Sequence, residues 1–185
     1  MEAELHGSPA ACYAHHVVEA LAHLRAVYRG LSLHDRVAIL CPSAAFVEEL
    51  VVPLRDYLAN EWPDWPVRLV SASEASASVG DTLDGASGST DGHATNLILD
   101  AIDQFDGLER LIVIGVGLDQ AISELPEEAA AGAGSVEQHA RSSEDQRTRS
   151  MLYRAVTRAH MQVLVVNVSL LDMMLVIIVI KVMEA

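Results

Sequence analysis

Arg36-Val-Ala-Ile-Leu-Cys41, followed by Pro42 and Ser43, is the stretch that decides the fold. The short aliphatic run reads as a strand that Pro42 closes, and Ser43 can cap a helix continuing to about Leu58. Strand, turn and helix follow in that order. Upstream, Cys12 to Arg29 places Val17, Ala20, Leu21, Leu24 and Tyr28 at helical spacing, and Gly30 stops this amphipathic helix. Downstream, Trp62-Pro-Asp-Trp-Pro66 breaks the second helix, because proline restricts both itself and the residue before it. Val67-Arg-Leu-Val70 is then a second strand; Asn96 to Asp100, Arg110 to Gly117 and, after a helix, Met161 to Asn167 are three more. Short aliphatic strands alternating with helices predict an α/β fold whose mainly parallel sheet is covered on both faces.

At 185 residues the chain has the length of one domain. Its expected organisation is a helical segment over 1–35, the core over 36–167 and an atypical apolar tail over 168–185. Two stretches rich in Ser, Ala and Gly, at about 71–95 and 127–143, read as flexible insertions, having too little apolar surface to offset their ordering entropy. The formal charge is −14 and Lys181 is the single lysine, so strong autonomous nucleic-acid binding is not expected. Cys12 and Cys41 show no repeated spacing of a disulfide scaffold, which fits a reducing intracellular compartment, cytoplasmic or nuclear. Val163 to Met183 approaches membrane-spanning length, but Asn167, Ser169, Asp172 and Lys181 interrupt it. A core strand followed by a second apolar segment is the expectation, and a membrane partner is not.

Two segments carry the chemistry. In Asp103-Gln-Phe-Asp-Gly-Leu-Glu109 a glycine flanked by acidic residues can bring backbone close to a phosphate or ribose; equally, Gly107 can simply turn the chain and Glu109 can be a solvated acid. In Arg149-Ser-Met-Leu-Tyr-Arg-Ala-Val-Thr-Arg-Ala-His160, read as a helix, Leu152, Ala155, Val156 and Ala159 form an apolar stripe while Arg154 and Arg158 point elsewhere. An arginine on a rigid helix can stabilise charge developing on a transferred γ-phosphoryl group. The plainer reading makes Arg158 a surface arginine like Arg147, Arg149 and Arg154.

In this order, the Gly-Leu-Glu turn, a buried strand and the Tyr-x-Ala-x-Thr-Arg-Ala segment resemble motifs V and VI of superfamily 1 (UvrD-like) helicases, over roughly Arg36 to Asn167. The residue pattern before the turn is also similar to helicase-like regulators of the Schlafen type, and Asp106 stands where many relatives carry lysine. The resemblance implies the C-terminal RecA-like domain of a motor. Gly107 would approach phosphates, Glu109 would contact ribose, Arg154 would be a further nucleotide-binding candidate, and Arg158 would be the arginine finger. It also implies ATP and Mg2+ in the complete motor only, an N-terminal RecA-like domain as partner in cis or in trans, and nucleic acid bound by the whole assembly.

A phosphate-binding loop needs Gly-x-x-x-x-Gly-Lys-Ser/Thr, and Lys181 sits in an aliphatic run without preceding glycines. The expectation is therefore a piece of a longer motor, a partner acting in trans or a decayed copy, with no cofactor held by the chain alone; a non-catalytic interaction module is the alternative. No metal is expected. Asp100, Asp103 and Asp106 are scattered by the change from strand to loop, and Cys12, His15, His16 and His23 lack paired finger spacing on their helix.

Overall fold

The computed structural model describes residues 8–81, 94–105, 108–118, 134–168 and 175–181. Helix α1 (Pro9–Val27) precedes strand β1 (Val37–Cys41), helix α2 (Ala44–Glu61) and strand β2 (Val67–Val70). Helix α3 (Ala72–Asp81), strand β3 (Thr95–Ala101), a 3-10 turn (Ile102–Phe105) and strand β4 (Arg110–Val116) follow. Helix α4 (Gly134–Thr157) and strands β5 (Ala159–Val168) and β6 (Leu175–Lys181) complete the order. The fold is α/β: one sheet ordered β2-β3-β1-β4-β5-β6, in which the first five strands are mutually parallel and β6 pairs antiparallel with β5.

Strand periodicity divides the core into two layers. Val37, Ile39 and Cys41 of β1, with Leu97, Leu99, Ile112, Ile114, Leu164 and Val166, face α1 and α2. Ala38 and Leu40, with Ile98, Val113, Val163 and Val165, face α3, the 3-10 turn and α4. All of β1 is buried, which is why its sequence is a continuous apolar run without alternation. The helices sit where right-handed crossovers require. The β1–β2 connection runs one way along the sheet with α2 on the first face; the β2–β3 and β4–β5 connections run the other way with α3 and α4 on the second.

Pro9 opens α1, and the Ser43 hydroxyl accepts from Phe46 N at 3.3 Å to cap α2. Within the stretch from about residue 71 expected as a flexible insertion, helix α3 forms over Ala72–Asp81. The signal was local: Glu74 accepts from Ser71 N at 2.9 Å while Glu74 N donates to Ser71 Oγ at 3.2 Å, a reciprocal capping box. The Ser71 backbone hydrogen bond holds the Glu74 carboxyl below its usual value. Asp100, at the end of β3, adds an acceptor for Ala72 N at 2.9 Å. Buried Ala72 and Ala75 then seal the helix onto the second core layer.

Residues 134–143, expected as insertion, belong to α4; 82–93 and 119–133 lie outside the described residues. The apolar tail contains β6, whose register pairs Gln162 with Lys181 and Val168 with Leu175. Among the described residues no helix is long and apolar enough to cross a membrane.

Candidate functional site

The connection from β3 to β4 has only residues 102–109, too few for the crossover helix that usually joins parallel strands. It descends the second face instead. Phe105 is fully buried, Leu108 N donates to Phe105 O at 3.3 Å, and Leu108 packs against the same core, which delivers Glu109 to the start of β4. Gly107 and Asp106 lie outside the described residues.

The second segment arrives at the same edge. Helix α4 stops at Thr157, whose hydroxyl donates to Arg154 O at 3.0 Å. This corrects the expectation of a helix through His160: Arg158 occupies the turn, its N–H donating to Ala155 O at 3.3 Å, and Ala159 already belongs to β5. Arg110 N donates to Arg158 O at 2.9 Å, and Arg110 is in register with Ala159. Glu109 and His160 close the pair, with Oε2 and Nε2 2.7 Å apart and both side chains about half exposed. Glu109 and Arg158, almost fifty positions apart in sequence, therefore meet at the N-terminal ends of β4 and β5.

Arg110 was readable only as the first residue of a strand, yet it contributes a guanidinium to this edge. Its Nη1 donates to Glu109 O at 2.7 Å, its Cζ lies 5.9 Å from the centre of the Phe105 ring, and its Nε is buried without a hydrogen-bond partner. Burial lowers its pKa, and the nearby Asp35 carboxylate opposes that shift. His160, by its sequence the last residue of a helix, is likewise the second residue of a strand.

Arg154 is engaged elsewhere. Its Nη1 bonds Asp103 Oδ1, and the two line a cleft of about 360 Å3 with Pro42, Gln146, Arg147, Ser150 and Met151. Pro42 marks the C-terminal end of β1, so this cleft opens toward the opposite end of the sheet from Glu109 and Arg158. Adjacent β1 and β3 send their connections to opposite faces here, the topology at which open α/β sheets form crevices. The three aspartates considered as a cluster have separate partners. Asp100 accepts from Ala72 N and Ala101 N, Asp103 pairs with Arg154, and Asp106 is outside the described residues.

No family profile matches the chain, and no curated protein matches it. Among solved structures, the C-terminal domain of a possible DNA helicase from Lactobacillus plantarum WCFS1 is similar over 80% of this chain and 61% of that one, at 20% identity and a TM-score of 0.41. This chain thus spans less than two thirds of that one.

Proposed function

We propose that the edge formed by Glu109, Arg110, Arg158 and His160 is one wall of an ATP site that a second, P-loop-bearing RecA-like domain completes. The observation that carries this reading is the convergence of the Gly-Leu-Glu turn and the Thr-Arg-Ala segment, held by the Arg110 N–Arg158 O hydrogen bond. Arg158, on the short turn between α4 and β5, is the arginine finger. Its backbone is fixed on both sides, so its guanidinium starts from a defined base when a γ-phosphate is presented by the partner. Glu109 is the ribose contact and exchanges its His160 partner for a nucleotide hydroxyl. Gly107 is assigned the approach to phosphate. Arg154, paired with Asp103, positions the 3-10 turn above the second core layer, and this wall leaves out the nucleotide contact that the helicase resemblance implies for it.

In the complete motor, ATP and Mg2+ would be held chiefly by the partner. Hydrolysis would alter the contact between the two domains and remodel or translocate nucleic acid. A second reading, an interaction module of the same fold without catalysis, is favoured by the single lysine and by the engagement of Glu109 with His160.

Steady-state ATP hydrolysis by the chain assembled with its P-loop domain separates the two. Arg158→Ala is expected to lower kcat by about 10³-fold or more with little change in KM, the scale of a lost arginine finger. Glu109→Gln is expected to act mainly on KM for ATP. An assembled complex whose kcat is indifferent to Arg158→Ala refutes the motor reading and leaves the interaction module.

A further inference from the structure

The exposed side of α1 carries a group that the ATP-site reading does not use. His15, His16 and Glu19 each offer one ligand atom, and these atoms all lie within 4.8 Å of one another. His16 Nδ1 lies 2.8 Å from Glu19 Oε2, and His15 Nε2 lies 3.7 Å from Glu19 Oε1. A tetrahedral zinc site with bonds of about 2.0–2.2 Å places its ligand atoms roughly 3.3 Å apart, so small side-chain rotations bring this trio to bonding geometry.

The spacing explains why the sequence pattern concealed it. Residues i, i+1 and i+4 on a helix match no paired finger, yet i and i+4 stack one turn apart and i+1 with i+4 forms the companion i,i+3 pair. The imidazoles are also held in place. His16 is only 14% exposed, and His15 packs its ring 5.3 Å from that of His16 and 5.7 Å from Tyr57 on α2. Buried Tyr13, Ala14, Val17 and Val18 anchor this turn of α1 to the core, so the backbone beneath the trio is fixed before any ion arrives.

We propose that His15, His16 and Glu19 bind a divalent transition ion of the zinc class, through His15 Nε2, His16 Nδ1 and a Glu19 carboxylate oxygen, leaving a fourth position open to water or to a donor from another molecule. Two imidazoles and a carboxylate suit Zn2+ over Mg2+ or Ca2+, which take mainly oxygen ligands. The ion displaces the helix-surface pairs that Glu19 makes with both histidines. The site lies on the face of the sheet away from Arg154 and α4, and it stands or falls independently of the nucleotide reading.

The test is calorimetric titration of the metal-free chain with ZnCl2 near neutral pH, with Co2+ absorption as a second readout. Wild type is expected to take up one equivalent with a tetrahedral Co2+ spectrum. Glu19→Gln and His15→Ala, both at solvent-accessible positions, should keep the circular-dichroism spectrum while losing at least about tenfold in affinity, since even outer-shell partners of a metal contribute that much. The chain has eight histidines, which makes wild type against variants the decisive comparison. Equal zinc affinity in all three proteins, or no saturable binding by wild type, overturns the proposal.

Discussion

Gly117→Ala should destabilise the fold by about 2–5 kcal/mol, and the structure separates two causes. Gly117 ends the β4 segment with φ of +61°, and its N–H donates to Val166 O at 2.9 Å. Placing an L side chain in that left-handed conformation costs about 1–2 kcal/mol. The added Cβ would also lie 2.6 and 2.9 Å from Cζ and Cε2 of Phe46. Phe46 has little freedom to retreat, because its ring packs edge-on against fully buried Tyr13 with centroids 5.3 Å apart. Overpacking of this kind costs about 1–3 kcal/mol. For a chain of this size the sum corresponds to a fall in Tm of roughly 4–20 °C.

Urea denaturation followed by circular dichroism measures the loss, and a double-mutant cycle with Phe46→Leu divides it. Shortening the ring should restore about 1–3 kcal/mol of the alanine penalty while leaving the backbone strain in place. A Gly117→Ala protein within about 0.5 kcal/mol of wild type refutes both the φ and the close approach. A full loss with no coupling to Phe46 refutes the close approach alone.

Two further outcomes follow from Asp100 and Cys41. Asp100→Ala removes the acceptor of Ala72 N and should cost about 1 kcal/mol, with Asn restoring most of it; hydrogen exchange at Ala72 reports the frayed α3 terminus directly. Cys41 is buried, and desolvation, reinforced by the Asp100 carboxylate, pushes its thiol pKa above the usual range. Its contribution to stability is therefore complete below the unfolded thiol value, about 8.5, and falls as pH rises past it, because only the unfolded chain releases that proton. Cys41→Ala should flatten this alkaline slope in the difference between variant and wild type, and native labelling should reach part-exposed Cys12 while sparing Cys41.

The central strands were legible because they are buried on both sides. β1 and β4 announce themselves as aliphatic runs between turn residues, and their order as strand–helix repeats implies parallel pairing. What sequence composition concealed was α3. Its Ser and Ala residues carry little apolar area, so its helix depends on the Ser71–Glu74 capping box and on an acceptor from Asp100, a residue far along the chain. The end of α4 was misjudged for a related reason. Arg158, Ala159 and His160 have ordinary helix propensities, and only pairing with β4 converts Ala159 and His160 to strand. The candidate site was legible as two motifs; Arg110 and His160 became visible when the register set them beside Glu109 and Arg158.

The geometry of that edge is set by the core beneath it and by the sheet, not by exposed loops. Residues 102–109 must return from the C-terminal end of β3 to the start of β4, and a buried Phe105 pins the path halfway. On the other strand, buried Met151 and Ala155 fix the last turns of α4 against the same layer, and the Arg110 N–Arg158 O bond joins the two arrivals. An edge built this way is preorganised, because moving Glu109 relative to Arg158 would require breaking the β4–β5 register. Damage to the second core layer should accordingly reach the site even without touching it. Any nucleotide chemistry at this edge would depend on Phe105 and Ala155 as much as on the charged groups they carry to the surface.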